Sequence, residues 1–377
     1  MRPEHELADI FRLYGEEYRK SHVINLNQRK VMAAITSCRT ARLGGHSEIC
    51  EKCGTVRNCY NSCRNRHCPK CQAMTKAEWL DNRKQELLPC GYFHMVFTVP
   101  HVLNPLILAN RKVLLDCLFA AVRNTLFAFA ADPSWKLEGK PGLLTILHTW
   151  SQTLVDHFHI HCLIPAGVLS LDGRRWIPSN EKFLFRVQSL AKQFKNQYLT
   201  MISARLMKLQ LPEQSDELFR LAREQTWIVY AKKPFAGPEQ VLEYLGRYTH
   251  RIAISNHRIK AINDGKVTFT YKDRQMDHKT EKMTLCVGEF IRRFLLHVLP
   301  FRFMKIRYYG FLANSCKGRA VLLIRRLIGK AIRIWHIGKE TTQEKMLRLT
   351  GRDILVCPYC KQGRMIHQGA ILSANTS

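Results

Sequence analysis

Three histidines stand at alternate positions in Asp156-His157-Phe158-His159-Ile160-His161-Cys162-Leu163-Ile164. A strand repeats every two residues, so His157, His159 and His161 share one face. Phe158, Ile160, Cys162 and Ile164 share the other, which is apolar and suited to burial. Imidazoles at i and i+2 lie close enough to share one ion, and a strand holds such a pair more rigidly than a loop does. Nitrogen ligands completed by a carboxylate or amide oxygen suit Mn2+ or another transition ion, and Mg2+ where water or phosphate fills the shell. The competing reading is three surface histidines on an edge strand, which the apolar reverse face disfavours.

A second constellation is Glu243-Tyr244-Leu245-Gly246-Arg247-Tyr248-Thr249-His250-Arg251. At i, i+4 the two tyrosines stack on one helical face. A phenol can attack phosphorus and store the bond energy as a phosphotyrosine ester. Its ordinary pKa near 10 demands a metal-polarised phosphate or a nearby base. Arg247 and Arg251 lie beside the pair and could take flanking phosphates. On spacing alone the tyrosines describe helix packing at least as well.

A third is rich in metal ligands. Cys50-Glu51-Lys52-Cys53 and Cys68-Pro69-Lys70-Cys71 are two C-x-x-C knuckles separated by fourteen residues, a spacing that suits one tetrahedral structural zinc. Cys38, His46, Cys63 and His67 lie in or beside this segment and would make a second zinc site. Arg57, Arg64, Arg66 and Lys70 make the segment basic, as a DNA-touching module requires. Cys357 and Cys360 form a lone knuckle near the C-terminus, half of a site that His336 or His367 would complete, or a remnant.

Composition sets the class of partner. In 377 residues, Lys and Arg outnumber Asp and Glu by 59 to 30, for a net charge of +29. Phosphate contacts and counterion release reward such a surface, so the partner is a polyanion, with nucleic acid favoured over membrane. The start of the chain is charged and lacks the apolar core of a signal peptide, and no long apolar run marks a membrane span. The cytoplasm, beside the bacterial nucleoid, is the expected location. Fourteen cysteines in a reducing compartment point to metal ligands over disulfides. Residues 301–309 interleave aromatics with cations, either to stack and clamp single-stranded nucleic acid or as a strand with its rings in the core.

The elements that must position these groups read as α+β. Strands are expected at 92–99, 143–150, 157–164, 227–230, 251–255, 258–262 and 267–272, with Asn263-Asp264-Gly265 turning the last pair. Helices are expected at 1–35, 74–89, 104–131, through much of 181–224, from Pro238 to Tyr248, and at 288–298 and 318–335. The segment 38–71 reads as loops around metal. Three parts follow: 1–90 with an N-terminal helix and a zinc-binding, DNA-contacting domain, a catalytic domain 91–335, and a tail 336–377.

The order of these motifs resembles the insertion-sequence-91 family of rolling-circle transposases, the two-tyrosine branch of the HUH endonucleases. The matching stretches are Cys38-Arg39-Thr40-Ala41 with Leu43-Gly44-Gly45-His46, Tyr60-Asn61-Ser62-Cys63-Arg64-Asn65-Arg66-His67-Cys68-Pro69-Lys70-Cys71, Leu147-His148-Thr149-Trp150, residues 157–165, residues 244–251, and Arg307-Tyr308-Tyr309-Gly310-Phe311-Leu312. They span nearly the whole chain. The resemblance implies a central antiparallel sheet flanked by helices and preceded by a small zinc-binding domain. It implies that His159 and His161 are the paired metal ligands and that Tyr244 and Tyr248 are the nucleophiles. Where the family often has proline between the first two histidines, this chain has Phe158, so His157 is an extra ligand or a neighbour. The third ligand is left among Gln152, Asp156, His148 and His157. The implied cofactors are one or two structural Zn2+ and a catalytic Mg2+ or Mn2+. The implied partners are single-stranded DNA at the ends of an element and target DNA. Two other readings compete: a plasmid replication initiator or relaxase with the same chemistry, and a non-catalytic zinc-dependent DNA-binding regulator.

Overall fold

The alternation of apolar residues places five strands side by side in one sheet. Its order is Ile306–Gly310, Gly142–Trp150, Asp156–Pro165, Tyr92–Thr98 and Ile228–Phe235, antiparallel throughout. Phe158, Ile160 and Cys162 are wholly buried on one face of the central strand, with Phe93, Met95 and Phe97 of the neighbouring strand beneath the same cover. That cover is the helices Arg111–Ala131 and Val187–Ser203. The mixed α+β class with an antiparallel central sheet is therefore present.

The computed structural model describes residues 3–180, 184–205, 209, 211, 215–235, 240, 241, 246, 252–273, 276, 277, 279–329 and 340–374. Within it the chain forms two units. One comprises Met1–Asp81, His250–Val298 and Trp335–Ser377; the other comprises Asn82–Thr249 and Leu299–Ile334 and contains the five-stranded sheet. Each unit draws on segments distant in sequence, because strand pairing and helix packing join them.

In the first unit the helices Leu7–Ser21 and Leu26–Ser37 replace the single expected helix. Asn25 separates them, capping the second helix through a reciprocal bond pair with Gln28. The helix Val287–Leu296 packs on the first of them, Phe294 edge-on to Phe11 at 5.6 Å. The strands Ile259–Asn263 and Lys266–Asp273 form the expected hairpin. Asp264 and Gly265 both adopt positive φ (50° and 67°), as a tight two-residue turn requires. A third strand, Lys279–Cys286, extends that sheet, while residues 252–255 are not a strand. The segment expected to be all loops contains the hairpin strands Gly45–Cys50 and Val56–Tyr60, joined by Met365–Ile371 from the C-terminal end. These strands are polar and show no alternation, so they leave no periodic signal.

The helix Arg111–Ala131 is long and apolar enough to cross a membrane by length and composition. Leu114, Leu115, Leu118, Phe119 and Val122 are instead buried in the core of the second unit, which accounts for its apolarity.

Candidate metal centres

The histidine strand presents His157, His159 and His161 on one face, as its period requires, with ring centroids 4.7 and 4.9 Å apart in succession. Antiparallel register sets His148 of the preceding strand directly opposite His159. His148, His159 and His161 each offer a ligand atom within 4.8 Å of the other two, and all three are buried. Of the four candidates for a third ligand, His148 joins the pair. His157 instead stacks on His101, with Nδ1 3.4 Å from the His101 Nε2. Asp156 pairs with Trp150 at the mouth of the hairpin, beyond a register shift that follows His148. That shift is why the sequence left the third ligand open: a bulge changes which residue lies opposite which.

Neighbouring groups engage the second ring nitrogen of two of these histidines. The His159 Nδ1 lies 2.8 Å from the His157 carbonyl, to which it donates. The His161 Nδ1 lies 3.0 Å from the Nε2 of His94 on the adjacent strand. With its Nδ1 proton given to that carbonyl, His159 has its lone pair on Nε2. His161 has its lone pair on Nε2 in the tautomer that donates from Nδ1 to His94. Burial pushes His94 down to about 4, and Lys232 adds to the effect, so His94 is neutral near pH 7.

The tyrosine constellation cannot be placed beside this centre in the same way. Tyr244, Tyr248, Arg247 and Arg251 lie outside the described residues, as does His336. Gln240, Val241 and Gly246, which are described, have helical backbone.

The cysteines fall into two groups of four, partitioned differently from the sequence expectation. Cys38, Cys63, Cys68 and Cys71 converge, and so do Cys50, Cys53, Cys357 and Cys360; in each group the sulfurs all lie within 4.8 Å of one another. The two knuckles expected to share one zinc are therefore separate. Cys68 and Cys71 take Cys38 and Cys63 as partners, and Cys50 and Cys53 take the C-terminal knuckle. In the first group Cys71 Sγ is 3.4 Å from Cys38 Sγ and 3.6 Å from Cys63 Sγ. These separations are near the edge of about 3.8 Å that a tetrahedron with Zn–S bonds of about 2.3 Å would have. Hydrogen bonds from Cys63 and Cys68 lower the pKa of Cys38, toward the thiolate form that binds metal. His46, the expected ligand to a second zinc, lies instead with Glu48 and Cys59 on the hairpin, and His67 joins none of these clusters.

Two of the basic residues singled out in this segment are committed to ion pairs within the fold. Arg57 is paired with Glu48 and Lys70 with Glu6. Burial lowers the pKa of Arg66, and Arg64 is exposed, as are Arg39, Arg42 and Lys52.

Residues 301–309 place part of their aromatic and cationic side chains in the core and part at the surface. Phe303 is buried in the core, and Arg307 lies under Phe119 and Phe303 (4.0 and 5.0 Å to the ring centroids) while paired with Asp116. Arg307 therefore builds a wall of the unit. Phe301 and Arg302 remain exposed, and Arg302, with Lys112 and Arg123, lines a cleft of about 570 Å3.

A family described as a transposase zinc-binding domain matches residues 10–99, and one described as a putative transposase matches residues 142–319. A putative transposase, y4qJ, of Sinorhizobium fredii is 45% identical over 378 residues, covering 96% of this chain and 94% of the relative. The transposase for insertion sequence element IS801 of Pseudomonas savastanoi pv. phaseolicola is 29% identical over 308 residues, covering 77% of this chain and 71% of that protein. No solved structure matches the chain.

Proposed function

This chain belongs to the insertion-sequence-91 family of transposases, and from that premise we propose that it cuts and rejoins single-stranded DNA at the ends of a mobile element through a 5′-phosphotyrosine. The observation that carries this reading is the convergence of His148, His159 and His161 on rigid, adjacent strands. Three buried nitrogen donors fit a divalent transition ion, Mn2+ better than Mg2+, whose preference is for oxygen. Such an ion, when bound, would neutralise charge on the scissile phosphate and orient it.

The remaining steps belong to the chain itself. The hydroxyl of Tyr244 or Tyr248 attacks phosphorus, the new O–P bond forms as the P–O3′ bond breaks, and the departing 3′ oxygen takes up a proton. The reverse exchange, with a different 3′-hydroxyl, joins strands. Each step trades one phosphodiester for another, so no external energy source is required. In-line positioning carries much of the acceleration. Lys112 and Arg302 hold phosphates along the cleft beside exposed Phe301, on which a base stacks. The protein acts in the cytoplasm, where the element's DNA lies.

The test uses the full chain, Mn2+ or Mg2+, and single-stranded oligonucleotides from the ends of the element, resolved on a denaturing gel. A covalent adduct is expected, lost with chelator and lost in the Tyr244→Phe, Tyr248→Phe double variant. A double variant that cleaves at the wild-type rate would overturn the assignment of the nucleophiles.

A further inference from the structure

The group Cys50, Cys53, Cys357 and Cys360 lies partly outside both matched regions, since residues 10–99 and 142–319 include neither Cys357 nor Cys360. Its geometry is nonetheless that of a built site. Cys50 Sγ is 3.7 Å from Cys360 Sγ, and Cys53 Sγ is 3.8 Å from Cys357 Sγ. Both match the tetrahedral edge of about 3.8 Å expected for Zn–S bonds of about 2.3 Å.

Each cysteine pair sits on a turn of the same form. Gly54 N donates to the Cys50 carbonyl at 3.0 Å, and Lys361 N donates to the Cys357 carbonyl at 3.0 Å. Both turns then pass through positive φ, 67° at Gly54 and 58° at Lys361. An amide also points at sulfur: Gly363 N lies 3.4 Å from Cys360 Sγ. The two turns are fitted to each other at Gly363, where a Cβ would come within 2.5 Å of Cys50 Sγ and 2.7 Å of Lys52 Cβ. Only glycine admits that approach.

The ladder beside the site delivers the two turns to one place. Met365–Ile371 pairs with Gly45–Cys50, with Met365 opposite Cys50 at its end. Glu51 N donates to the Arg364 carbonyl and Arg364 N to the Glu51 carboxylate, at 3.1 Å each. The apolar support is slight: Cys50, Cys357 and Met365 are the buried members of the cluster, with Cys360 packed against it. So small a core adds little to holding together two segments 304 to 310 residues apart, and a further link would strengthen the join.

We propose that Cys50, Cys53, Cys357 and Cys360 bind a second structural zinc that fastens the C-terminal strand to the N-terminal hairpin. Four protein sulfurs leave no open position, so the ion holds structure and takes no part in the DNA chemistry. Cys50 and Cys357 are buried while Cys53 is exposed, so this ion is reached from solvent on one side.

The test is native mass spectrometry of the full chain, purified under reducing conditions without added metal. Two zinc ions per chain are expected. Cys357→Ser with Cys360→Ser leaves one, and Cys50→Ser with Cys53→Ser also leaves one. A wild-type chain with a single zinc that the Cys357/Cys360 variant retains would overturn the proposal, as would that variant keeping two. A second measurement needs no variant. Iodoacetamide labels Cys357 and Cys360 only after a chelator is added, and a protease then cuts within residues 351–374. Prompt labelling of both cysteines in the untreated protein, or a disulfide between them, would refute it.

Discussion

His94 and His161 lie on neighbouring strands with Nε2 and Nδ1 3.0 Å apart and their rings within 13° of parallel. A His161 that gives its Nε2 lone pair to a metal must keep its proton on Nδ1 and donate it to His94. Neutral His94 can accept it. Outer partners of this kind are worth about 10–100-fold in metal affinity. His94→Leu is therefore expected to weaken Mn2+ binding by about tenfold or more, and His94→Gln, which restores an acceptor, to recover part of it. Isothermal titration of Mn2+ into the full chain decides; equal affinities in wild type and His94→Leu would count against the assignment.

His148 and His157 separate two descriptions of the same centre. His148 converges with His159 and His161, whereas His157 turns to His101. Loss of a direct ligand exceeds loss of an outer partner, so His148→Ala is expected to slow metal-dependent DNA cleavage by at least about 100-fold. His157→Ala is expected to change it by less than about threefold, as for a neighbour of the ligand set. Rates for the two variants at saturating Mn2+ provide the check, and the reverse order would make His157 the ligand.

Gly310 tests how the edge strand is held. Its φ is +64°, and a Cβ there would come within 1.7 Å of the Pro141 carbonyl oxygen, which is backbone and cannot swing away. Gly310→Ala should cost well over about 1 kcal/mol, because it adds a clash to the left-handed strain. Gly265, at φ +67° with nothing within 4 Å of a Cβ, meets only the strain, so Gly265→Ala should cost about 1–2 kcal/mol. Urea unfolding of the two variants should rank them in that order.

Glu289 links acid sensitivity to the first unit. Its carboxylate accepts from Arg292 and also from Arg293, and these guanidiniums hold its pKa down to about 2. A pKa depressed on folding contributes stability that is complete above the unfolded value of 4.5 and is lost as pH falls toward 2. Glu289→Gln should flatten that part of the stability–pH curve and leave the curve above pH 5 parallel to wild type. The pair is partly exposed, so the effect is modest and shrinks in high salt. Urea midpoints measured from pH 5 to pH 2 would show it; an unchanged acid limb would remove Glu289 as its cause.

Local patterns determined much of this protein from the sequence alone. The alternation at 157–164 gave both the strand and its two faces, because backbone pleat fixes side-chain direction every second residue. The Asn263-Asp264-Gly265 turn was equally explicit, since few residues accept positive φ. Charge announced a polyanionic partner, and the C-x-x-C spacings announced metal, because each knuckle is a local structure. What pairs with what was decided only in three dimensions. His148 reaches His159 through strand register, and a bulge in the hairpin hides that register from sequence spacing. Cys50 and Cys53 lie closer in sequence to Cys68 and Cys71, yet meet Cys357 and Cys360, because antiparallel pairing of Gly45–Cys50 with Met365–Ile371 carries the chain end to them. A knuckle supplies two ligands wherever it folds; the other two come from whichever segment the sheet brings alongside.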